Sequence, residues 1–129
     1  MANEPAVIIE LLGNAGDPIR YTCATAIPKG TIVKLTSPRT VAASSADDEP
    51  IAGIAAMESD GTETSISVYT NGIFDLYTAD GVAVGAILAI DALNDVDEAD
   101  ANDLLQGSVV GQALETGGAG STNAVRVLK

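Results

Sequence analysis

Histidine and tryptophan are absent from this 129-residue chain, and cysteine and phenylalanine occur once each. Without histidine there is no Ser-His-Asp or Cys-His relay and no imidazole ligand for a metal. The lone Cys23 excludes an intrachain disulfide and a thiolate zinc site. Phe74, Tyr21, Tyr69 and Tyr77 are all the aromatics, so tryptophan-anchored recognition and aromatic platforms for sugars are missing. Positive charge is scarce too. Six Lys and Arg stand against 18 Asp and Glu, for a formal net charge of −12. Nucleic acid and anionic membrane surfaces are repelled by such a chain, and neither is expected as a partner. Long apolar runs are also lacking. Ala6–Leu12 is broken by Glu10 and has no basic flank, which fits neither a signal peptide nor a membrane span.

What remains is aliphatic. The 47% apolar fraction is dominated by Ala, Val, Ile and Leu, and a chain of this length buries roughly 65–70% of its extended surface. Short apolar or alternating runs recur about every ten residues between Gly, Pro, Asn, Asp and Ser, the punctuation of strands. The pattern predicts strands at 6–12, 18–25, 31–36, 39–43, 51–57, 64–70, 72–77, 86–90, 108–114 and 123–128. Asn71-Gly72 reads as a tight hairpin turn. Only 91–105 has spacing for a short helix, against its Asn and Asp content. The fold class is all-β.

The chain also repeats itself. Ile19-Arg-Tyr-Thr answers Ile73-Phe-Asp-Leu, and Lys29-Gly-Thr-Ile-Val-Lys-Leu35 answers Val84-Gly-Ala-Ile-Leu-Ala-Ile90. Pro50–Met57 answers Ser108–Glu115, and Ser65-Ile-Ser-Val68 answers Ala124-Val-Arg-Val127. The offset drifts only from 54 to 59 residues. Gly53 and Gly111 fall at one place inside otherwise apolar strands, a mark of a shared bend or close backbone approach. Gly30 and Gly85 open equivalent strands as turn residues. The expectation is a compact β-barrel or β-sandwich-like module of two pseudo-repeats, about 19–68 and 73–127. Residues 1–17 form an N-terminal arm or first strand, and 18–129 a single β domain.

Chemistry offers little. Carboxylates gather at Asp47-Asp-Glu49, at Glu58–Glu63 and in the run 91–103, which holds six acids. A hand-shaped calcium loop starting at Asp95 needs Gly at its sixth place and Glu at its twelfth, where Asp100 and Gln106 stand. The run therefore reads as a solvated acidic loop, without metal. Cys23, among alternating apolar positions, reads as a buried structural thiol. No catalytic residue, cofactor or enzymatic activity is expected.

The order Pro28-Lys-Gly-Thr-Ile-Val-Lys-Leu35, Pro50-Ile-Ala-Gly-Ile-Ala55, Asp60-Gly61, Ser65–Ile73, Val82–Leu88, Val110–Glu115 and Val125–Val127 resembles the small capsid decoration, or cement, proteins of tailed viruses. The resemblance covers about residues 18–128. It implies a structural protein on the outer surface of the virion, made in the host cytoplasm, with no catalytic residues. It further implies a homotrimer that braces subunits of the major capsid protein. On this reading Val7, Ile8, Ile9, Leu11 and Leu12 anchor an arm that adds a strand to a partner's edge, unless 6–12 is simply the chain's own first strand. Tyr69, Phe74 and Tyr77 belong either to the core or to a subunit contact. The alternative is a non-catalytic glycan-binding β module, which the missing tryptophan disfavours. The excess of acid leads to one prediction. The melting temperature should rise with added sodium chloride as self-repulsion is screened, and an unchanged midpoint would discard adaptation to salt.

Overall fold

The first repeat closes on itself. In the computed structural model, which describes residues 5–10, 18–62 and 64–129, its main strands are β2 (Ile19–Cys23), β4 (Ile32–Ser37), β5 (Thr40–Ala43), β6 (Ile51–Ala55) and β8 (Ser65–Tyr69). They form a closed barrel in the order β2-β5-β4-β6-β8. Alternation builds it. Along β8, Ile66 and Val68 point inward, while Ser65, Ser67 and Tyr69 stay half-buried. The barrel interior holds Cys23, Ile27, Val33, Val41, Ala52, Ala55, Ile66 and Val68. A short ribbon of β3 (Ala26–Ile27) and β7 (Ser59–Asp60) lies beside it.

The second repeat does the same with β9 (Asn71–Thr78), β10 (Ile87–Ala92), β11 (Asp95–Glu98), β12 (Val109–Ala113) and β13 (Ser121–Leu128). Its order is β9-β11-β10-β12-β13, and the β9–β13 pairing closes the ring. Each pairing has its counterpart, down to a single parallel one in each barrel: β2–β5 and β9–β11. The irregularities match as well. A shift follows Leu35↔Val41 in one copy and Ile90↔Val96 in the other. Another follows Val33↔Gly53 and Leu88↔Gly111. The Ile27↔Ser59 pair of the short ribbon recurs as the isolated bridge Val82↔Gly117.

Pairing corrects the alignment read from sequence in two places. Val68 faces Ile19 where Val125 faces Phe74, so Ile19 is equivalent to Phe74, and the opening strands correspond one residue further along. Ile54 faces Tyr69 where Gln112 faces Arg126, so Tyr69 is equivalent to Arg126 in the closing strands. Inward-pointing valines, rather than similar letters, set the true register.

Two further expectations fail. Asn71-Gly72 is no hairpin turn. Both residues lie in β9 and pair with Leu128 and Val127 of β13, because the chain passes at Thr70 from one barrel directly into the other. The run 91–103 is not an acidic loop either. Asp91 and Ala92 end β10, Asp95–Glu98 form β11, and the only helix among the described residues, α1 (Ala101–Gln106), follows. Strand β11 is the counterpart of β5, so within this run only the helix lacks an equivalent.

The barrels join through one apolar face. Ile32, Ile51 and Ile54 project outward from the first barrel and are buried in the same cluster as Phe74, Leu88, Ile90, Val96, Val110 and Val125 of the second. The buried amide of Asn94 accepts a hydrogen bond from the backbone N–H of Ile32 at 2.8 Å. Ala46 bridges Ala92, and the N–H of Ile51 donates to the Gly107 carbonyl.

Gly53 and Gly111 explain their shared position. A Cβ on Gly53 would strike the carbonyl oxygen of Tyr69, and one on Gly111 that of the equivalent Arg126. Closing each barrel therefore requires a residue without a side chain there. Gly53→Ala and Gly111→Ala should each cost about 1–3 kcal/mol in urea unfolding. Gly118→Ala, with nothing within 4 Å, should be near neutral. Equal effects at all three sites would refute this account of barrel closure.

Candidate interaction surfaces

Strand β1 (Val7–Glu10) lies on this chain's own sheet, antiparallel to β9, with Ile8 opposite Phe74. It fills the stretch of β9 edge that β11 leaves uncovered, and the Ala6 N–H donates to the Gly30 carbonyl at 2.6 Å. Val7, Ile8 and Ile9 nevertheless remain exposed. Leu11 and Leu12, grouped with them by sequence, lie outside the described residues. Beneath the strand is a cavity of about 270 Å³ lined by Ala6, Ile8, Lys29, Ile54, Tyr69 and Phe74.

The aromatic trio divides. Phe74 is fully buried inside the second barrel and cannot form a subunit contact, because β9 turns its even-numbered residues inward. Tyr69 tilts against it across the joint, with ring centroids 5.8 Å apart. Tyr77 stands half-buried on the outer face of β9, beside Asp95 of β11. Cys23 is buried, with its thiol 3.6 Å from the Ser59 hydroxyl.

Acidic residues of the second barrel are locally organised. Asp95 accepts the backbone N–H of Ala79. Asp100 and Asp103 form a reciprocal capping box at the start of α1, and Gly107 closes the helix in the left-handed conformation. That Asp-x-x-Asp…Gly signature was present in the sequence and marks the helix more narrowly than 91–105. Asp103 lies with Asp47 and Asp48, carboxylate oxygens within 4.8 Å of one another. The Asn102 amide donates to Asp48 and the Asp100 N–H to Asp103. On the first barrel Lys34 pairs with Glu49 at 2.6 Å.

The last surface was missed from sequence. Ile87, Val109, Gly111, Gln112, Arg126 and Leu128 line a groove of about 320 Å³ on the outside of β10, β12 and β13. By register these are the counterparts of the joint itself: Ile87 of Ile32, Val109 of Ile51, Gln112 of Ile54 and Arg126 of Tyr69. Ile32 is 0% exposed, whereas Ile87 is 45% and Leu128 58% exposed. Subtracting one repeat from the other, position by position, is the signal that finds it.

Comparison with known proteins adds the following. The chain matches the family described as phage cement protein over residues 14–128. Among curated proteins none matches. The crystal structure of the head fiber gp8.5 N base of bacteriophage phi29 is similar at 12% identity and a TM-score of 0.57, covering 85% of this chain and 92% of that one. At such identity the likeness shows the fold alone.

The carboxylates set a pH dependence. Burial, followed by repulsion from Asp91, Asp95, Asp103 and Asp80, pushes Asp97 from 3.8 up to about 6. Burial raises Asp95 and Asp103 as well. Glu49 goes the other way. Burial raises it, but hydrogen bonds from Lys34, from the N–H groups of Ser45 and Ala46, and from the Ser45 hydroxyl outweigh that and hold it at about 2. Between pH 4 and 6 the unfolded chain releases the Asp97 proton before the folded one does, so stability falls as pH rises through this window. Glu49 stabilises above its unfolded value of 4.5, and that gain is lost as pH falls toward 2. Asp97→Asn should therefore raise the melting temperature at pH 7, by a margin that shrinks toward pH 4. A margin independent of pH would contradict the assignment.

Proposed function

Because the chain belongs to the phage cement protein family, we propose that it binds the outer surface of an assembled capsid and stabilises it by bridging neighbouring major capsid subunits. The family match, running through both barrels, is the observation that carries this reading. The fold supports it in kind. Two closed barrels leave few free strand edges, and a joint packed with buried aliphatic side chains suits a part that bears load rather than one that turns over substrate. The acidic surface keeps the protein from gripping packaged or stray nucleic acid.

Attachment falls to exposed apolar groups. Val7, Ile8 and Ile9, exposed on β1, form the capsid-binding segment together with Leu11 and Leu12. The protein acts as a homotrimer on the virion exterior after synthesis in the host cytoplasm. Tyr77, left accessible while Phe74 serves the core, contributes to the contact between copies.

Purified shells of the cognate phage should sediment with the wild-type protein and withstand higher temperature when decorated. Val7→Ser with Ile9→Ser should weaken binding about tenfold or more while the barrels stay folded by circular dichroism. Failure of the wild-type protein to sediment with shells would defeat the reading.

A further inference from the structure

We propose that the outward face of the second barrel is a docking site for a capsid subunit that presents apolar side chains around a carboxylate. This rests on the capsid-binding reading above and adds to the β1 segment a second surface, with the chemistry that it would recognise.

The duplicated architecture supplies the argument. In the first barrel the face formed by β4, β6 and β8 is covered, and its three isoleucines are buried by the second barrel. The second barrel repeats that face strand for strand, shift for shift, and among the described residues nothing covers it: Ile87 is 45% exposed. Its rim keeps the apolar character of a contact surface in Ile87, Val109 and Leu128. Gly111, which lines the groove, adds no side chain to it. Two positions have diverged: Ile54 has become Gln112, and Tyr69 has become Arg126. An apolar surface that changes a central ring for a cation no longer fits the same occupant.

The divergence decides against a second copy stacked head to tail. Continuing the internal joint into another molecule would bring the base of that molecule's first barrel onto this groove. There Arg39 stands in the place of Asn94, and Ile19 in the place of Phe74. Arg39 would take the place of the amide that accepts the Ile32 N–H, and Arg126 that of the ring set against Phe74, so two cations would enter a contact that the chain builds internally from neutral groups. Like charges at a desolvated contact oppose it. Among the described residues Arg126 forms no ion pair, although the chain carries a threefold excess of acid. The complement of the groove is therefore an apolar projection that carries an acidic group set against Arg126.

The test uses purified capsids and the full chain. Arg126→Glu and, separately, Ile87→Ser should each lower the affinity for shells at least tenfold, with melting temperature and solution mass unchanged. Arg126→Lys should retain most of the binding, and the salt dependence of wild-type binding should be reduced in Arg126→Glu. Wild-type binding with both variants binding equally well would overturn the inference while leaving the proposed function standing. No binding by the wild-type protein would remove both. A change in oligomeric mass of Arg126→Glu without shells, seen by light scattering, would make the groove a contact between copies and would also overturn it.

Discussion

The burial of Ile32, Ile51 and Ile54 between the two barrels is the contact on which the molecule depends. Full burial of one such side chain is worth about 1.5–3 kcal/mol. Three of them approach the net stability of a typical small domain, about 5–15 kcal/mol. The chain crosses between the barrels through a single residue, Thr70, so the covalent link leaves little slack. Asn94 then supplies the polar complement, satisfying the Ile32 N–H that the joint removes from water. Strand β1 seals the same region from the side by lying across Phe74. Small barrels with thin aliphatic interiors become one body because their largest shared cluster lies across the joint.

Duplication has kept the framework and altered the surfaces. Pairings, shifts and the two strand glycines are common to both copies, since each is needed to close a five-stranded ring of this geometry. Residues outside that requirement have drifted. Ser37, Arg39 and Ile19 occupy the first barrel where Ala92, Asn94 and Phe74 serve the joint in the second. The result is a chain with two ends of different character, each end being one half of a contact whose other half it no longer matches. The two copies are symmetric inside and asymmetric at their ends.

Much of the fold was legible in the sequence, for a physical reason. Inward-pointing Val and Ile on alternate positions, and glycines where backbones touch, are written directly in the residues of β4, β6, β8, β10 and β12. Strand β11 was illegible, because Asp95-Val-Asp-Glu places a single buried valine among acids with poor strand propensity. Asn71-Gly72 misled because the pair is compatible with positive φ anywhere, and only the long β13 partner makes it a strand. The burial of Phe74 and the exposure of Ile87 were beyond reach for another reason. They depend on which face of one repeat meets the other, and that is a relation between copies rather than a property of either. The ridge on β1 was legible as apolar, but its docking on β9 was not.

The crossing at Thr70 also orders events during synthesis. By the time Tyr69 leaves the ribosome every strand of the first barrel exists, and that barrel can close. Its three outward isoleucines, however, have nothing to cover them until β9 to β12 have followed. The second ring cannot close before β13, whose strand ends at Leu128, has emerged. Strand β1, made first, must wait for β9 before it has an edge to join. The nascent chain thus carries an uncovered isoleucine face from the completion of β6 until β12 has followed, a period in which neighbouring nascent chains on one message offer each other the same isoleucines.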